Sequence, residues 1–385
     1  MVAAAKGGLE GVVAGVSALC DIDGRTGRLL YCGYDIVDLA EHSSFEETAS
    51  LLWHGELPSG DELADLSRQL REHMDPHPAV WDVARSAGPD ANPMAVLRTQ
   101  VSLLGALDPE AEDVSEAANR RKAARLVAQT GTLVAGSERI RTGLDPVAPR
   151  GDLGLAANFL WMLRGAMPDD EEVRAFDVAL VLHAEHGMNA STFAARVTAA
   201  TLSDMHSAIT SAIGALKGPL HGGANERVME LLRELPSVEA TPAAVREMLE
   251  QKRRIMGFGH RVYRTEDPRA TILRRWSRRL GERAGDTRWY ELTLKLDQTV
   301  REEKGLYPNV DLYSASAYTS LGLPQRIFTP IFAVSRMAGW TANVIEQHRD
   351  NRLIRPDSDY VGPAPRPYVP VEARAGVLAP QRSLV

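Results

Sequence analysis

The chain has only two cysteines, Cys20 and Cys32, among 385 residues. They flank a DIDGRTG turn at 21–27 and could approach each other if the flanking residues pair as a hairpin. A disulfide is not expected in a reducing compartment, and no cysteine pair has metal-binding spacing. Long apolar runs are also missing. LGLAANFLWML at 153–163 is among the longest and is too short to span a bilayer. The start, MVAAAKGGLEG, holds no apolar segment of signal-peptide type. A cytoplasmic location with no membrane partner is the expectation. An excess of positive charge is absent as well: the formal net charge is −7, which argues against a general nucleic-acid binder. No repeat period or low-complexity block breaks the chain.

What is present is an ordinary globular composition, 44% hydrophobic and 25% charged, ample for a real core. The length suits two domains. The charge is unevenly placed. Between Lys252 and Arg283 there are eleven Lys/Arg and three acids, a local +8 that leaves −15 for the remainder. Such a segment is either a solvated arginine-rich helix face or an anion trap; the second fits best around His260.

Residues 10–34 predict short strands, VVAGVSALC and RLLYCGY, joined by the Asp-Gly turn. Nearly everything after them follows a helical period. Ser44 with Glu47, and Ser59 with Glu62, are capping-box starts. Further helices are predicted over 78–86, 92–106, 115–135, 153–166, 171–183, 190–201, 204–216, 223–234, 241–252, 268–284, 287–304, 311–321 and 325–347. The fold class is therefore mainly α with a short N-terminal β segment. Boundaries at GPLHGG and at GLP (322–324) divide the chain into a discontinuous large domain, 1–222 with 323–385, and a small inserted domain, 223–322. Pro363, Pro365, Pro367 and Pro370 predict an extended C-terminal arm.

Three stretches set a histidine or an aspartate among glycines or turn residues: GPLHGGAN at 218–225, MGFGHRVYRTEDPR at 256–269 and NVDLYS at 309–314. His221 precedes a helical stretch. A helix N-terminus disfavours imidazolium, so a neutral imidazole able to donate to a developing enolate is one reading. A histidine in a turn closing the previous helix is the other. His260 follows Gly257-Phe-Gly259 and precedes Arg261, Arg264 and Arg269. There is no third glycine for a dinucleotide fingerprint and no Gly-Lys-Ser/Thr ending for a P-loop, but arginines grip carboxylates and phosphates. Asp311 opens a predicted helix, as an N-cap or as a base. One carboxylate and two imidazoles suit the removal of a proton from carbon. His183 and His186 share a helical face without a third ligand, so no metal is expected. Asn189 and Ser191 read as turn and N-cap residues. Arg336, in the apolar AVSRMAGW, needs a charged partner or a ligand; Arg355, in RLIRPD, ends a helical region.

Together these motifs resemble the citrate synthase family, the enzymes that condense an acyl-CoA with a 2-oxo acid. The resemblance runs from about residue 8 to 370 and includes DGRTGRLLYCGYDI, LHAEHGMNASTFAARV, GALKGPLHGGAN, IMGFGHRVYRTEDPRA, NVDLYSASAY, TPIFAVSRMAGWTANVIEQ and NRLIRP. It implies a two-domain helical fold that converts acetyl-CoA and oxaloacetate into citrate and CoA, without cofactor or metal. It implies that His221 stabilises the enolate, Asp311 removes the methyl proton, and His260 polarises the ketone. His186, Arg269 and Arg336 would bind oxaloacetate. Arg355 would reach the partner subunit's site in a homodimer. Lys252, Gly257, Gly259 and Arg264 would meet CoA.

Two positions depart from the family pattern. Cys32 stands where the family commonly has arginine, and Glu185 where many members have aspartate. The short N-terminus implies a simple dimer without the extra domain of NADH-inhibited relatives. The nearest rival is a 2-methylcitrate synthase using propionyl-CoA, since one methyl is worth only about 1–3 kcal/mol in an apolar pocket. A non-catalytic helical scaffold and a histidine-site metalloenzyme are the more distant alternatives.

Overall fold

The structure is a computed structural model that describes residues 7–9 and 11–374; the outermost parts of the expected large domain lie outside these residues. Sixteen α-helices and one three-stranded sheet make up the described chain. The mainly α class follows the helical period of the sequence, and no described helix is long and apolar enough to cross a membrane.

The sheet is an antiparallel meander of β1 (Cys20–Asp23), β2 (Arg28–Tyr31) and β3 (Tyr34–Asp35), with Cys20 opposite Tyr31 and Leu30 opposite Asp35. Asp23 builds the turn between β1 and β2: its Oδ1 accepts from the Arg25 and Thr26 N–H groups at 2.9 and 3.3 Å. The strand expected over VVAGVSALC is corrected here, for only its last residue joins the ladder. Residues 12–18 have no neighbouring strand to satisfy their backbone, and Val13 and Val16 are 85% and 87% exposed. Both cysteines are free thiols.

Several helices start where the sequence places its caps. Ser59 and Glu62 form a complete capping box ahead of Gly60–Glu72, and Ser44 accepts from the Glu47 N–H ahead of Phe45–His54. Pro268–Ala284 coincides with its predicted span, whereas the expected 325–347 helix opens with a 3-10 turn, Gln325–Ile327, before Phe328–Arg349.

Phe328–Arg349 is the axis of the core. From Phe328 to Gln347 all of its residues except Phe332 and Glu346 are buried. It packs against Glu116–Arg141 and Ala190–Ala199. A Cβ on Gly339 would collide with Ala184 and the Glu185 carboxylate, so glycine lets the 184–189 loop lie against the helix backbone. Trp340 Nε1 donates to Ser191 Oγ at 3.1 Å. This helix thus brings Arg336 and the His186 loop to the same depth.

The contacts divide the chain after Leu353 into two compact units. The second begins at Ile354. From Arg355 through Arg374 it is exposed, and it is extended except for the short 3-10 turn Val371–Ala373, as its prolines predict.

Candidate active site

His186, His221, His260, Arg269, Asp311 and Arg336 all line one cleft of about 660 Å³, open solvent included. They come from five separate parts of the chain. His186 lies in the loop after Asp170–His183, and His221 in the loop before Ala224–Glu234. His260 lies in the 251–267 loop, Arg269 and Asp311 in the first turns of Pro268–Ala284 and Val310–Ser320, and Arg336 mid-way along Phe328–Arg349.

The 257–259 segment joins two of these parts. Phe258 bridges Pro308, the Asn309 N–H donates to the Gly257 carbonyl at 2.9 Å, and Asn309 Nδ2 donates to the Gly259 carbonyl at 3.1 Å. Both glycines have positive φ, +86° and +75°, where a side chain is strained. A Cβ on Gly257 would press on Val228 and Leu312, whereas Gly259 faces open space. Gly257 therefore serves packing, and the backbone at Gly259 is open on the side where a Cβ would stand.

His221 and His260 are neutral for the same main reason. Burial, followed by the field of Arg336, pulls His221 down to about 4. Burial, followed by the field of Arg269, does the same for His260, against the opposing charge of Asp267. For His221 burial thus outweighs the helix start as the cause. Their tautomers follow from their partners. Nε2 of His221 accepts from the Ser191 N–H at 3.2 Å and lies 2.8 Å from Ser191 Oγ, so its proton sits on Nδ1. Nδ1 of His260 accepts from the Val262 and Tyr263 N–H groups at 3.0 and 3.2 Å, so its proton sits on Nε2. Each ring keeps one N–H without a partner among the described residues.

Asp311 is not the helix cap. Asn309 takes that place, with its side chain accepting from the Asp311 N–H at 3.0 Å. An aspartate at the second helical position is left with its carboxylate toward the cleft. Burial pushes that carboxyl up to about 6; Asp267 adds to the rise, while Arg269 and Arg336 oppose it. A carboxylate raised in this way is a stronger base than an ordinary one, and it is still mostly ionised at neutral pH.

The cations are buried and oriented. Arg269 is paired side-on with Asp267, at 3.0 and 2.7 Å, and both side chains are almost wholly buried. Burial would lower its pKa, but the Asp267 charge and hydrogen bonds outweigh that and hold it raised. Arg336 Nε donates to the His183 carbonyl at 2.7 Å, and its guanidinium lies over the Phe332 ring. Buried Glu185 supplies an opposing charge. His186 Nε2 lies 3.2 Å from the Tyr263 hydroxyl, with its ring 5.0 Å from that of His260. Burial and then Arg269, His260 and Arg336 hold its pKa well below the ordinary value. Two fixed cations beside neutral hydrogen-bond donors make a receptor for a small dianion.

The other expected residues stand elsewhere. Lys252 and Arg264 are exposed on the 251–267 loop. Arg355 belongs to the second unit, where it is exposed and lies 3.4 Å from Asp357. His183 turns Nδ1 to the Ala179 carbonyl at 2.8 Å. Sequence reasoning took Asn189 and Ser191 for turn and cap residues. Asn189 does cap Ala190–Ala199, but it also lines the cleft, and Ser191 orients His221. Their signal was the NAS run beside a histidine; what hid it was that capping uses the same residue types.

A buried helical cleft with a raised carboxyl, two neutral imidazole donors and two fixed cations defines an enzyme of the class that activates a carbon acid beside an anionic acceptor. A family model described as "Citrate synthase, C-terminal domain" matches residues 8–357. Citrate synthase 2 of Bacillus subtilis (strain 168) is 53% identical over 369 residues, covering 96% of this chain and 99% of the relative. The crystal structure of citrate synthase from Pyrobaculum aerophilum matches with a TM-score of 0.90 at 40% identity, covering 95% of each chain. The ternary complex of carboxymethyl coenzyme A and oxaloacetate with citrate synthase from Thermoplasma acidophilum matches with a TM-score of 0.90 at 34% identity, over 95% of this chain and 98% of that one. A relative named 2-methylcitrate synthase, from Shewanella oneidensis, is 43% identical over 95% of this chain and 97% of its own length. The chain belongs to the citrate synthase family, a family of acyltransferases.

Proposed function

We propose that the cleft condenses acetyl-CoA with oxaloacetate and hydrolyses the resulting citryl-CoA to citrate and CoA. The observation that carries this reading is the pair of neutral imidazoles, each with one free N–H, beside the raised carboxyl of Asp311. Asp311 takes a methyl proton from acetyl-CoA while His221 Nδ1–H donates to the thioester oxygen as it gains charge. The enolate carbon attacks the oxaloacetate ketone, whose oxygen accepts from His260 Nε2–H and finally takes that proton. Water then cleaves the thioester. An α-thioester proton is a weak acid, so the enolate needs that donor; one such hydrogen bond contributes about 3–4 kcal/mol. Holding the two reactants together contributes up to roughly 7–11 kcal/mol more.

Arg269, Arg336 and His186 bind the oxaloacetate carboxylates and keto group, and Arg355 completes the site of a second subunit in a homodimer. Lys252 and Arg264 meet the CoA phosphates, with Gly259 giving close backbone approach. In this reading residues 223–322 form a small domain that closes on the large one, 1–222 with 323–385, once oxaloacetate is bound. Closure excludes water until the carbon–carbon bond has formed.

The relatives named 2-methylcitrate synthase support propionyl-CoA as a second reading, at lower identity than the citrate synthases. Comparing kcat/KM for the two acyl-CoAs with oxaloacetate separates them. A preference for acetyl-CoA is expected, and a clear preference for propionyl-CoA overturns the first choice.

A further inference from the structure

The turn between β1 and β2 lies directly on the loop that carries His260. A Cβ on Gly24 would fall inside contact distance of the Val262 carbonyl oxygen, 2.7 Å from its carbon and 3.2 Å from Val262 Cγ1. A Cβ on Gly27 would meet Thr265 Cγ2 at 2.8 Å and the Glu266 carbonyl oxygen at 2.9 Å. Only a turn with glycine at both places lies this close to the 262–266 backbone. Gly24 lacks a positive φ, so space alone demands glycine there.

The hydrogen bonds show what this contact holds. Three consecutive amides of the loop point to two acceptors. The Val262 and Tyr263 N–H groups donate to His260 Nδ1, and the Arg264 N–H donates to the Gly24 carbonyl at 2.7 Å. The first two fix the ring and its tautomer; the third anchors the same backbone to the turn. Tyr263, between them, reaches His186 Nε2 through its hydroxyl. The turn is itself pinned by Asp23.

We propose that the Asp23–Gly27 turn is a positioning element for His260, acting through the Gly24 carbonyl and the glycine-only contact with Val262. The proposal rests on the reading of His260 as the donor to the oxaloacetate ketone. Gly24→Ala forces the loop back on the order of 1 Å to restore an ordinary carbon–carbon contact. A misplacement of that size costs about 100-fold in rate. The loss should fall on kcat, while KM for oxaloacetate, set chiefly by the arginines, changes only a few-fold.

The test compares native protein, Gly24→Ala and Gly60→Ala, whose added Cβ meets nothing within 4 Å. It measures CoA release, the thermal midpoint and the infrared carbonyl stretch of bound oxaloacetate carrying ¹³C at the keto carbon. In the native protein and Gly60→Ala the donor should move that band to lower frequency. In Gly24→Ala most of that displacement should vanish together with kcat, at a similar midpoint. A displaced band in the native protein that is unchanged in Gly24→Ala, with unchanged kcat, overturns the role of the turn alone. A native band left at its free position overturns the reading of His260 and the proposal with it. Amide hydrogen exchange of the native protein gives a readout independent of how the variant folds. The Arg264 N–H should be strongly protected with oxaloacetate bound, and exchange as free as in an unfolded chain overturns the anchor.

Discussion

Replacing Asp311 by asparagine should make the protein more stable and nearly inactive. Its carboxyl is raised from an ordinary 3.8 to about 6 because the cleft desolvates the charge. The folded state therefore holds this proton more tightly than the unfolded state does. Below about pH 4 both states are protonated and the site costs nothing. Between there and pH 6 stability falls as pH rises, and above pH 6 the full cost is present. At 1.36 kcal/mol per pH unit that cost is about 3 kcal/mol, and partial exposure to the cleft makes this a ceiling. Asparagine keeps the shape and removes the charge, so Asp311→Asn should gain up to about 3 kcal/mol at pH 7.5 and little at pH 4. The same change removes the base and should lower turnover by about 10²–10⁴. Urea unfolding at the two pH values gives the stability difference, and CoA release gives the turnover. A variant no more stable than the native protein at pH 7.5 refutes the desolvation argument. Near-normal turnover removes Asp311 as the base.

Two other changes and one scattering measurement probe the rest of the site. Arg269→Met breaks an ion pair that is almost wholly buried and leaves Asp267 unpaired, so unfolding experiments should find about 3–5 kcal/mol lost, together with oxaloacetate affinity in calorimetry. Ser191→Ala removes the hydroxyl beside His221 Nε2 but keeps the backbone donor; kcat should fall roughly fivefold with KM for oxaloacetate unchanged, as for one net hydrogen bond of about 1 kcal/mol. Small-angle scattering should show a more compact particle with oxaloacetate than without, and identical profiles count against closure.

The pH dependence of kcat/KM follows from the same carboxyl. Asp311 works as a base only when ionised, whereas the two histidines, at about 4, stay neutral throughout the working range and do not titrate within it. Activity should fall about tenfold per pH unit below pH 6. A fall centred near pH 6.5 that disappears in His260→Gln would instead make a histidine the titrating group.

Much of the fold was legible because helices announce themselves locally. Ser59, Asn92, Asp169 and Asn189 each cap the helix that follows them, and the apolar period supplies the buried face. The N-terminal strand was misread because Val12, Val13 and Val16 are good strand formers with no partner strand, and pairing is a tertiary property. At the site, glycines and turn residues flagged His221, His260 and Asp311, but their protonation was not readable. It depends on burial and on Arg269 and Arg336, which come from distant parts of the chain. Asp311 was mistaken for a possible cap because Asn309, two residues earlier, fits the same role. The anchoring of Arg264 by Gly24 joins residues 240 apart, and no local pattern announces it.

The most direct measurement is CoA release from acetyl-CoA with oxaloacetate, set against release from acetyl-CoA alone, with the product identified by mass. The account predicts release only when both substrates are present, in one-to-one ratio with citrate. Equal release without oxaloacetate, or none with both substrates, would contradict it.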